Sequence, residues 1–286
     1  MHRQPAAQIA YIDHFLNDPR TFNKAEELFR NYLRNSPSVE LCRFYLTYVR
    51  SVLSSSSSFS YLTLFRRVNA DPSLREPIRM SYEFALNHIG QDKDSGDIWA
   101  DYIQFLNSDP SASASGSSSS LTPSTWEAQQ RMDSLRKVYH RAVQIPLENV
   151  QKLWEELETF ETSLNKITAK KFLSDLSPSH MQARQVLREL KTYYTQLGLS
   201  SLVSLPQSAR PPLYLPSIPT FSPAERALLG NWKKYLKWEE SNPLMIDDKD
   251  RNQFIQRVVG VYRKALGRMR FWAEIWWDIP PPSPPT

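Results

Sequence analysis

Glycine and cysteine are scarce in this 286-residue sequence, which contains seven glycines and one cysteine. Nucleotide-binding α/β folds need glycines at their phosphate-binding turns, and neither G-x-G-x-x-G nor G-x-x-x-x-G-K-S/T occurs. Because many β-hairpins also need glycine at their turns, the composition favours helices. The single cysteine, Cys42, excludes an internal disulfide framework and a cysteine-based zinc cluster, and it favours a reducing compartment.

Long apolar runs and a large excess of one charge are also missing. The most aromatic stretch, 271–277, is interrupted by Glu274 and is too short to span a bilayer. The first twenty residues do not have the pattern of a signal peptide. We therefore expect a soluble intracellular protein without membrane contact. The net charge of +5 is compatible with RNA or acidic protein partners and selects neither.

Four segments have compositions that do not predict packed structure. Serine-rich insertions are expected near 51–73 and 107–125, and a proline-rich linker is expected over 198–223. The prolines of 280–286 exclude a helix there, and we expect a disordered tail. These segments would interrupt or follow a single folded domain that spans residues 1–279.

An aromatic-centred pattern recurs between these segments. Five stretches place apolar residues three and four positions apart, which is the spacing of one buried helix face. The central residue is Phe29, Tyr82, Tyr139 or Tyr262 in four of them and Leu187 in the fifth. We call the helices predicted by this pattern B-helices.

A second pattern precedes most B-helices, and we call the helices that it predicts A-helices. Three large residues at i, i+3 and i+6 lie along one helix face, and in two copies a glutamate, Glu161 or Glu239, follows. We expect these carboxylates to bind an arginine or the backbone within the repeat rather than to take part in catalysis.

Alternating helix pairs of this kind predict an α-solenoid. The residues expected to form the repeat core, rather than a base-stacking platform, are Trp99, Tyr102, Phe105, Tyr139, Trp154, Phe160, Trp232, Tyr235, Trp238 and Tyr262.

The combined pattern, W-x-x-Y-x-x-W/F-E followed by V/L-Y-x-R/K-A-L/V, resembles the half-a-TPR (HAT) repeat of RNA-processing proteins. From about Asn23 to Asp278, the ordered series resembles the N-terminal HAT domain of the large subunit of cleavage stimulation factor, in the Suf family. The stretches that carry this resemblance include WADYIQFL at 99–106, LWEELETFE at 153–161 and WKKYLKWEESNPL at 232–244.

The resemblance implies an all-α fold, a right-handed superhelix of about ten helices. It implies a non-enzymatic scaffold of the nuclear pre-mRNA 3′-end cleavage and polyadenylation machinery, which binds other subunits of that complex and reaches RNA through them. The family is nuclear, and we also keep a cytoplasmic location open. It implies no cofactor. The family's dimerisation domain and partner-binding tail have no counterpart here, so we expect a partial family member.

Two other functions remain open at this point. One is a spliceosomal HAT-repeat scaffold, and the other is direct RNA binding by basic residues of the B-helices. The candidates for a basic face that binds RNA or an acidic partner are Arg131, Arg136, Lys137, Arg141, Arg257, Arg263 and Lys264.

We identify no catalytic, cofactor-binding or metal-binding residues, because the five histidines lack metal-ligand spacing. Finally, Trp272, Trp276 and Trp277 predict an exposed apolar surface near the end of the sequence.

Overall fold

A computed structural model describes residues 5–16, 19–52, 72–108, 125–199, 216 and 218–277. Within these ranges the secondary structure consists of α-helices and three short 3-10 helices, without a strand. The α-helices are α1 (Pro5–Leu16), α2 (Phe22–Asn35), α3 (Val39–Val52), α4 (Pro72–Ile89), α5 (Gly96–Asn107), α6 (Thr125–Ala142), α7 (Val150–Leu164), α8 (Lys166–Gln196), α9 (Pro223–Glu240), α10 (Arg251–Arg268) and α11 (Ala273–Trp277). The 3-10 helices are Pro19–Thr21, Lys93–Ser95 and Asp248–Asp250. The prediction of an all-α fold is confirmed.

The predicted helix types occupy alternating elements. The B-helix patterns lie on α2, α4, α6, α8 and α10, and the A-helix patterns lie on α3, α5, α7 and α9. Helix α1 was not predicted, because its buried face consists of Gln8, Ile9 and Ile12 and lacks the aromatic centre of the repeat. It packs against α2, where the Gln8 side-chain amide donates to Ser36 Oγ at 2.7 Å.

The chain divides into two compact units. One unit is Leu41–Leu187, in which α5 packs against both α4 and α6, and α7 packs against α6. The other comprises Met1–Glu40 and Arg188–Thr286, and here α9 packs against α10. The boundaries between the units fall inside α3 and α8.

Local sequence explains where α9 begins. Ser222 is its N-cap, and the Glu225 backbone N–H donates to Ser222 Oγ at 3.3 Å. In return, Glu225 Oε2 accepts from the backbone N–H of Ser222 at 3.4 Å, which completes a capping box. Pro223 follows at the first helical position, where its missing N–H has no helical partner to lose.

The predicted insertions, linker and tail lie mostly outside the described residues. At their edges, α3 extends to Val52, α4 begins at Pro72, and α5 ends at Asn107. The 280–286 tail is wholly outside, so its predicted disorder stays a prediction.

The expectation of an exposed tryptophan cluster near the end of the sequence is partly wrong. Trp276 and Trp277 are 44% and 91% exposed, but Trp272 is buried. Trp272 belongs to the core of α9 and α10, and its ring also meets Phe221 edge-on at 5.3 Å. Trp272 is buried because α11 folds back onto α10. Helix α11 has only five residues, so its sequence pattern alone does not reveal which face is covered.

Candidate interaction surface

The aromatic residues of α5 lie in the core and are not available for a ligand. Trp99, Tyr102 and Phe105 are all buried. Tyr82 of the B-helix α4 stacks on Tyr102 at 5.1 Å and on Phe105 at 5.7 Å between ring centroids. Trp99 Nε1 donates to the Gly90 carbonyl at 3.1 Å, so the one polar atom of the indole is also satisfied.

The corresponding residues of α7 are less enclosed. Trp154 and Phe160 are half-buried. Trp154 stacks on the buried His180 of α8 at 4.2 Å between ring centroids, and Phe160 lies 5.8 Å from the buried Tyr139 of α6. Trp154 therefore contacts the B-helix α8 and Phe160 contacts the B-helix α6. Both rings nevertheless remain partly exposed to solvent.

The aromatic residues of α9 lie against α10, as their two periods predict. Trp232 and Tyr235 are buried in one cluster with Tyr262 and Ala265, and the half-buried Trp238 packs on that cluster. Trp238 Nε1 donates to Glu189 Oε2 of α8 at 2.9 Å. The predicted burial of Trp232 and Tyr235 against α10 is confirmed.

Each repeat glutamate forms a two-point ion pair with a B-helix arginine. Glu161 accepts from Arg136 Nε and Nη2 at 2.6 and 3.2 Å, and Glu239 accepts from Arg257 Nε and Nη2 at 2.7 and 2.9 Å. Both carboxylates are buried. The hypothesis of a tie within the repeat is confirmed for Glu239, whose arginine lies on the B-helix of its own pair, whereas Glu161 binds an arginine of the preceding helix pair.

One arginine precedes its glutamate in the sequence, and the other follows its glutamate. Arg136 lies on the B-helix before α7, whereas Arg257 lies on the B-helix after α9. The hydrogen bonds to Glu161 raise the pKa of Arg136. Burial alone would lower the pKa of Arg257, but the charge of Glu239 and its hydrogen bonds raise that pKa above its ordinary value. Both arginines are therefore charged at neutral pH.

The tyrosines and histidines near these pairs are neutral at pH 7. Burial raises the pKa of Tyr82 and of Tyr139 to about 12, and it raises the pKa of Tyr235 well above its usual range. Burial also lowers the pKa values of His140 and His180. Among the described residues, no group of three histidine, cysteine or acidic side chains has the geometry to hold a metal ion.

Most of the predicted basic face is engaged in internal contacts. Besides the two ion pairs, Arg141 Nη1 lies 2.9 Å from Glu83 Oε2, and its guanidinium lies over the Trp99 ring at 5.1 Å. Lys264 Nζ donates to the Tyr194 hydroxyl at 2.7 Å. The remaining candidates are the half-buried Arg131 and the exposed Lys137 and Arg263. The candidates on α6 and those on α10 belong to different units.

A buried polar cluster escaped the sequence analysis. Lys93 is 3% exposed and bonds Asp94 Oδ1 at 2.7 Å, with Glu148 Oε2 at 3.7 Å. The backbone N–H of Glu148 donates to the Lys93 carbonyl at 3.1 Å, and the Asn149 amide donates to the Gly96 carbonyl at 2.9 Å. The cluster joins the α4–α5 loop to the α6–α7 loop. The run D-K-D gave no signal, because three charged residues in a loop are typical of a solvated turn.

One absence concerns membranes. None of the helices in the described ranges is long and apolar enough to cross a bilayer.

Comparison with known proteins adds an independent line of evidence. The chain is 38% identical over 260 residues to the mRNA 3′-end-processing protein rna14 of Emericella nidulans, covering 89% of this chain and 21% of that protein. It is 36% identical over 277 residues to rna-14 of Neurospora crassa, with 94% and 21% covered. It is 38% identical over 264 residues to RNA14 of Cryptococcus neoformans var. neoformans serotype D, with 89% and 21% covered. The chain thus spans about a fifth of the length of these curated relatives.

A solved structure shows the same fold. The crystal structure of CstF-77 superposes with a TM-score of 0.62 at 19% identity, covering 96% of this chain and 46% of that chain. The predicted α-solenoid of HAT repeats is therefore confirmed. The profile of the family described as suppressor of forked protein (Suf) matches residues 4–280, which is more of the chain than the stretch from Asn23 on which we based the resemblance. The chain belongs to the suppressor of forked (Suf) family.

Proposed function

We propose that this chain is the HAT-repeat part of a scaffold subunit of the nuclear pre-mRNA 3′-end cleavage and polyadenylation machinery. The observation that carries the proposal is the identity of 36–38% to proteins named for mRNA 3′-end processing, over 89–94% of the chain. In this role the chain binds other subunits of the machinery and performs no catalysis. The structure agrees with such a role, because its buried carboxylates and aromatic rings serve the repeat core, which leaves the outer helix faces for partners.

A segment swap in a relative tests the proposal. The matching segment of rna14 in Emericella nidulans is replaced by this chain, the native gene is shut off, and 3′-end cleavage of reporter transcripts is measured by 3′-end sequencing. We expect the chimera to restore cleavage at the native sites. A chimera that accumulates to normal levels and co-purifies with no cleavage and polyadenylation subunit would overturn the proposal.

A matched variant of the chimera separates binding from folding. Arg257→Met leaves the buried carboxylate of Glu239 without its partner and should lower abundance and cleavage together. Lys166→Glu with Lys170→Glu changes an exposed stretch of α8 and should leave abundance unchanged, so any loss of cleavage reports a partner surface there.

Direct RNA binding by the B-helices has weaker support. Arg136, Arg141, Arg257 and Lys264 already contact carboxylates or a tyrosine of their own unit, so fewer cations of this set are left for phosphate. A salt titration distinguishes the two functions. Several phosphate contacts would give a steep fall of affinity for single-stranded RNA with salt concentration, with a slope of about −0.7 per phosphate neutralised.

A further inference from the structure

Helix α9 carries four basic residues on one face. Arg226, Lys234 and Lys237 are exposed, and Lys233 lies beside them. At 100° per residue, these four positions fall within a sector of roughly 100°, and they extend over about 16 Å of the helix axis. We call this surface, Arg226, Lys233, Lys234 and Lys237 with Gly230 at its centre, the basic α9 face.

The carboxylates of α9 are engaged elsewhere. Glu225 Oε2 accepts from the backbone N–H groups of Thr220 and Ser222 at the start of the helix. Glu239 is buried with Arg257, and Glu240 Oε1 accepts from the Tyr262 hydroxyl at 2.5 Å. The helix therefore contributes no free acidic residue that would balance its exposed cations.

Three basic residues on other helices each pair with a carboxylate of the same helix. Arg79 pairs with Glu76, Arg136 also pairs with Asp133, and Lys152 pairs with Glu156, in each case three or four residues away on the same helix. On α9, Lys234 and Lys237 are like charges at i and i+3, a spacing that weakens a helix, as are Lys166 and Lys170 of α8 at i and i+4. Within the described residues, the side chains of Arg226, Lys234 and Lys237 make no hydrogen bond or ion pair. Lys237 lies in the last turn, where a cation is favourable, whereas Arg226 and Lys234 have no such compensation within the helix.

Gly230 leaves the centre of the basic α9 face without a side chain. Glycine in a helix interior lowers the stability of the helix relative to alanine. A Cβ atom at position 230 would meet nothing within 4 Å. Among the described residues, no packing requires glycine here, and the exposed Ala227 is also short, so no long side chain separates Arg226 from Lys233.

We infer that the basic α9 face binds an acidic segment of a partner protein, one that presents at least three carboxylates over about 16 Å. This inference rests on the proposed scaffold function, because it assigns one partner surface to it. A polypeptide fits better than single-stranded RNA, since RNA binding also uses exposed rings for base stacking. Here Trp232 and Tyr235 are buried, and Trp238 holds Glu189. Two copies of the chain that met through their α9 faces would bring like charges together. This face therefore does not pair with itself.

Fluorescence anisotropy on the full chain at low salt tests the inference. The probes are fluorescein-labelled deca-glutamate, deca-glutamine and a ten-nucleotide oligo-uridylate. We expect deca-glutamate to bind, deca-glutamine not to bind, and the triple variant Arg226→Glu, Lys234→Glu, Lys237→Glu to weaken deca-glutamate binding about tenfold or more. The matched control reverses three exposed lysines of α8, Lys166, Lys170 and Lys171, and should stay within about twofold of the unchanged chain.

Two substitutions at one position separate charge from folding. Gly230→Glu places a carboxylate among the four cations and should weaken deca-glutamate binding about threefold or more, while helix content by circular dichroism is maintained. Gly230→Ala should bind within about twofold of the unchanged chain.

Three results would overturn the inference. They are equal losses in the α8 and α9 triple variants, absence of deca-glutamate binding, and stronger binding of oligo-uridylate that the α9 triple variant removes. The last result would assign the face to RNA. Failure here with a functional segment swap rejects only this surface, whereas acidic-peptide binding with a failed swap rejects only the proposed function.

Discussion

Helices α7 and α9 carry the same A-helix pattern but bury it to different extents. In α9, Trp232 is 1% exposed, and the side chains of Arg257 and Glu239 are 4% and 1% exposed. In α7, Trp154 is half-buried, and the side chain of Arg136, the partner of Glu161, is 24% exposed. The pattern therefore specifies which face points inward, and the neighbouring helix decides how completely that face is covered.

The neighbours differ in a way that explains the contrast. Helix α9 lies against α10, which supplies the regular series Val258, Tyr262 and Ala265. The ring of Trp154 instead stacks on His180 of α8, a 31-residue helix with Pro178 in its interior. Because proline removes one backbone hydrogen bond, this part of α8 is less regular than α10. Equivalent substitutions in α7 and α9 should therefore have unequal effects.

The largest difference is expected for the first tryptophan of each pattern. Trp232→Ala should lower the free energy of unfolding by about 3–5 kcal/mol, because it leaves a cavity in a fully enclosed core. Trp154→Ala should cost about 1–3 kcal/mol, since part of the ring is already in solvent. Urea denaturation monitored by circular dichroism checks both. Equal costs would show that exposure of the ring does not control its contribution.

Removing the arginines should give the next largest difference. Arg257→Leu leaves the buried carboxylate of Glu239 without its partner and should cost about 3 kcal/mol or more. Arg136→Leu should cost about 1–2 kcal/mol, because water reaches the partly exposed Arg136 side and can solvate Glu161 in its place. The same urea experiment measures both variants. A larger loss for Arg136→Leu would contradict the order of burial in the two pairs.

Replacing both partners sharpens the comparison. Glu239→Leu with Arg257→Leu removes the uncompensated charge and should restore stability to within about 1–2 kcal/mol of the unchanged chain. The double-mutant cycle then isolates the coupling between the two side chains, which should be smaller for Glu161 and Arg136. A double variant as unstable as Arg257→Leu alone would mean that the cost arises from packing of the arginine stem.

The sequence was sufficient to predict the helices whose apolar spacing is local. The A- and B-helix patterns identified α2 to α10, because a buried stripe with an aromatic centre repeats within a single helix. It was insufficient for α1, whose burial depends on contacts with α2, and for Trp272, which α11 brings back onto α10. Those contacts depend on chain geometry and leave no periodic signal.

The chemistry of the basic residues could be predicted only in part. The glutamates at the end of the A-helix pattern indicated an arginine or backbone partner within the repeat, but they did not show that the arginine of Glu161 comes from the preceding B-helix. Arg141 finds Glu83, which lies 58 residues earlier, and Lys93 is buried with Asp94 and Glu148. Pairings over such separations arise when helices pack, so the sequence alone placed these residues in a solvated basic face or in a loop.

The smallest difference is expected from a change of pH, and it again distinguishes the two ion pairs. His140 Nε2 lies 4.0 Å from Glu161 Oε1, and His180 stacks on Trp154, whereas α9 and α10 contain no histidine. Burial lowers the pKa values of both histidines below the 6.5 of an unfolded chain, so as the pH falls through 6.5 the unfolded state binds protons more readily than the folded state.

Stability of the unit Leu41–Leu187 should therefore be full above pH 6.5 and should decrease progressively below it, down to the lowered pKa values of the folded state. Hydrogen exchange followed by mass spectrometry at pH 7.5 and 5.5, corrected for the intrinsic pH dependence, should show lost protection in α7 before α9. The double variant His140→Gln, His180→Gln should remove the difference. Equal loss of protection in α9, or a difference that persists in the double variant, would assign the pH dependence to groups other than His140 and His180, such as carboxylates of both units or His14 in the unit that contains α9.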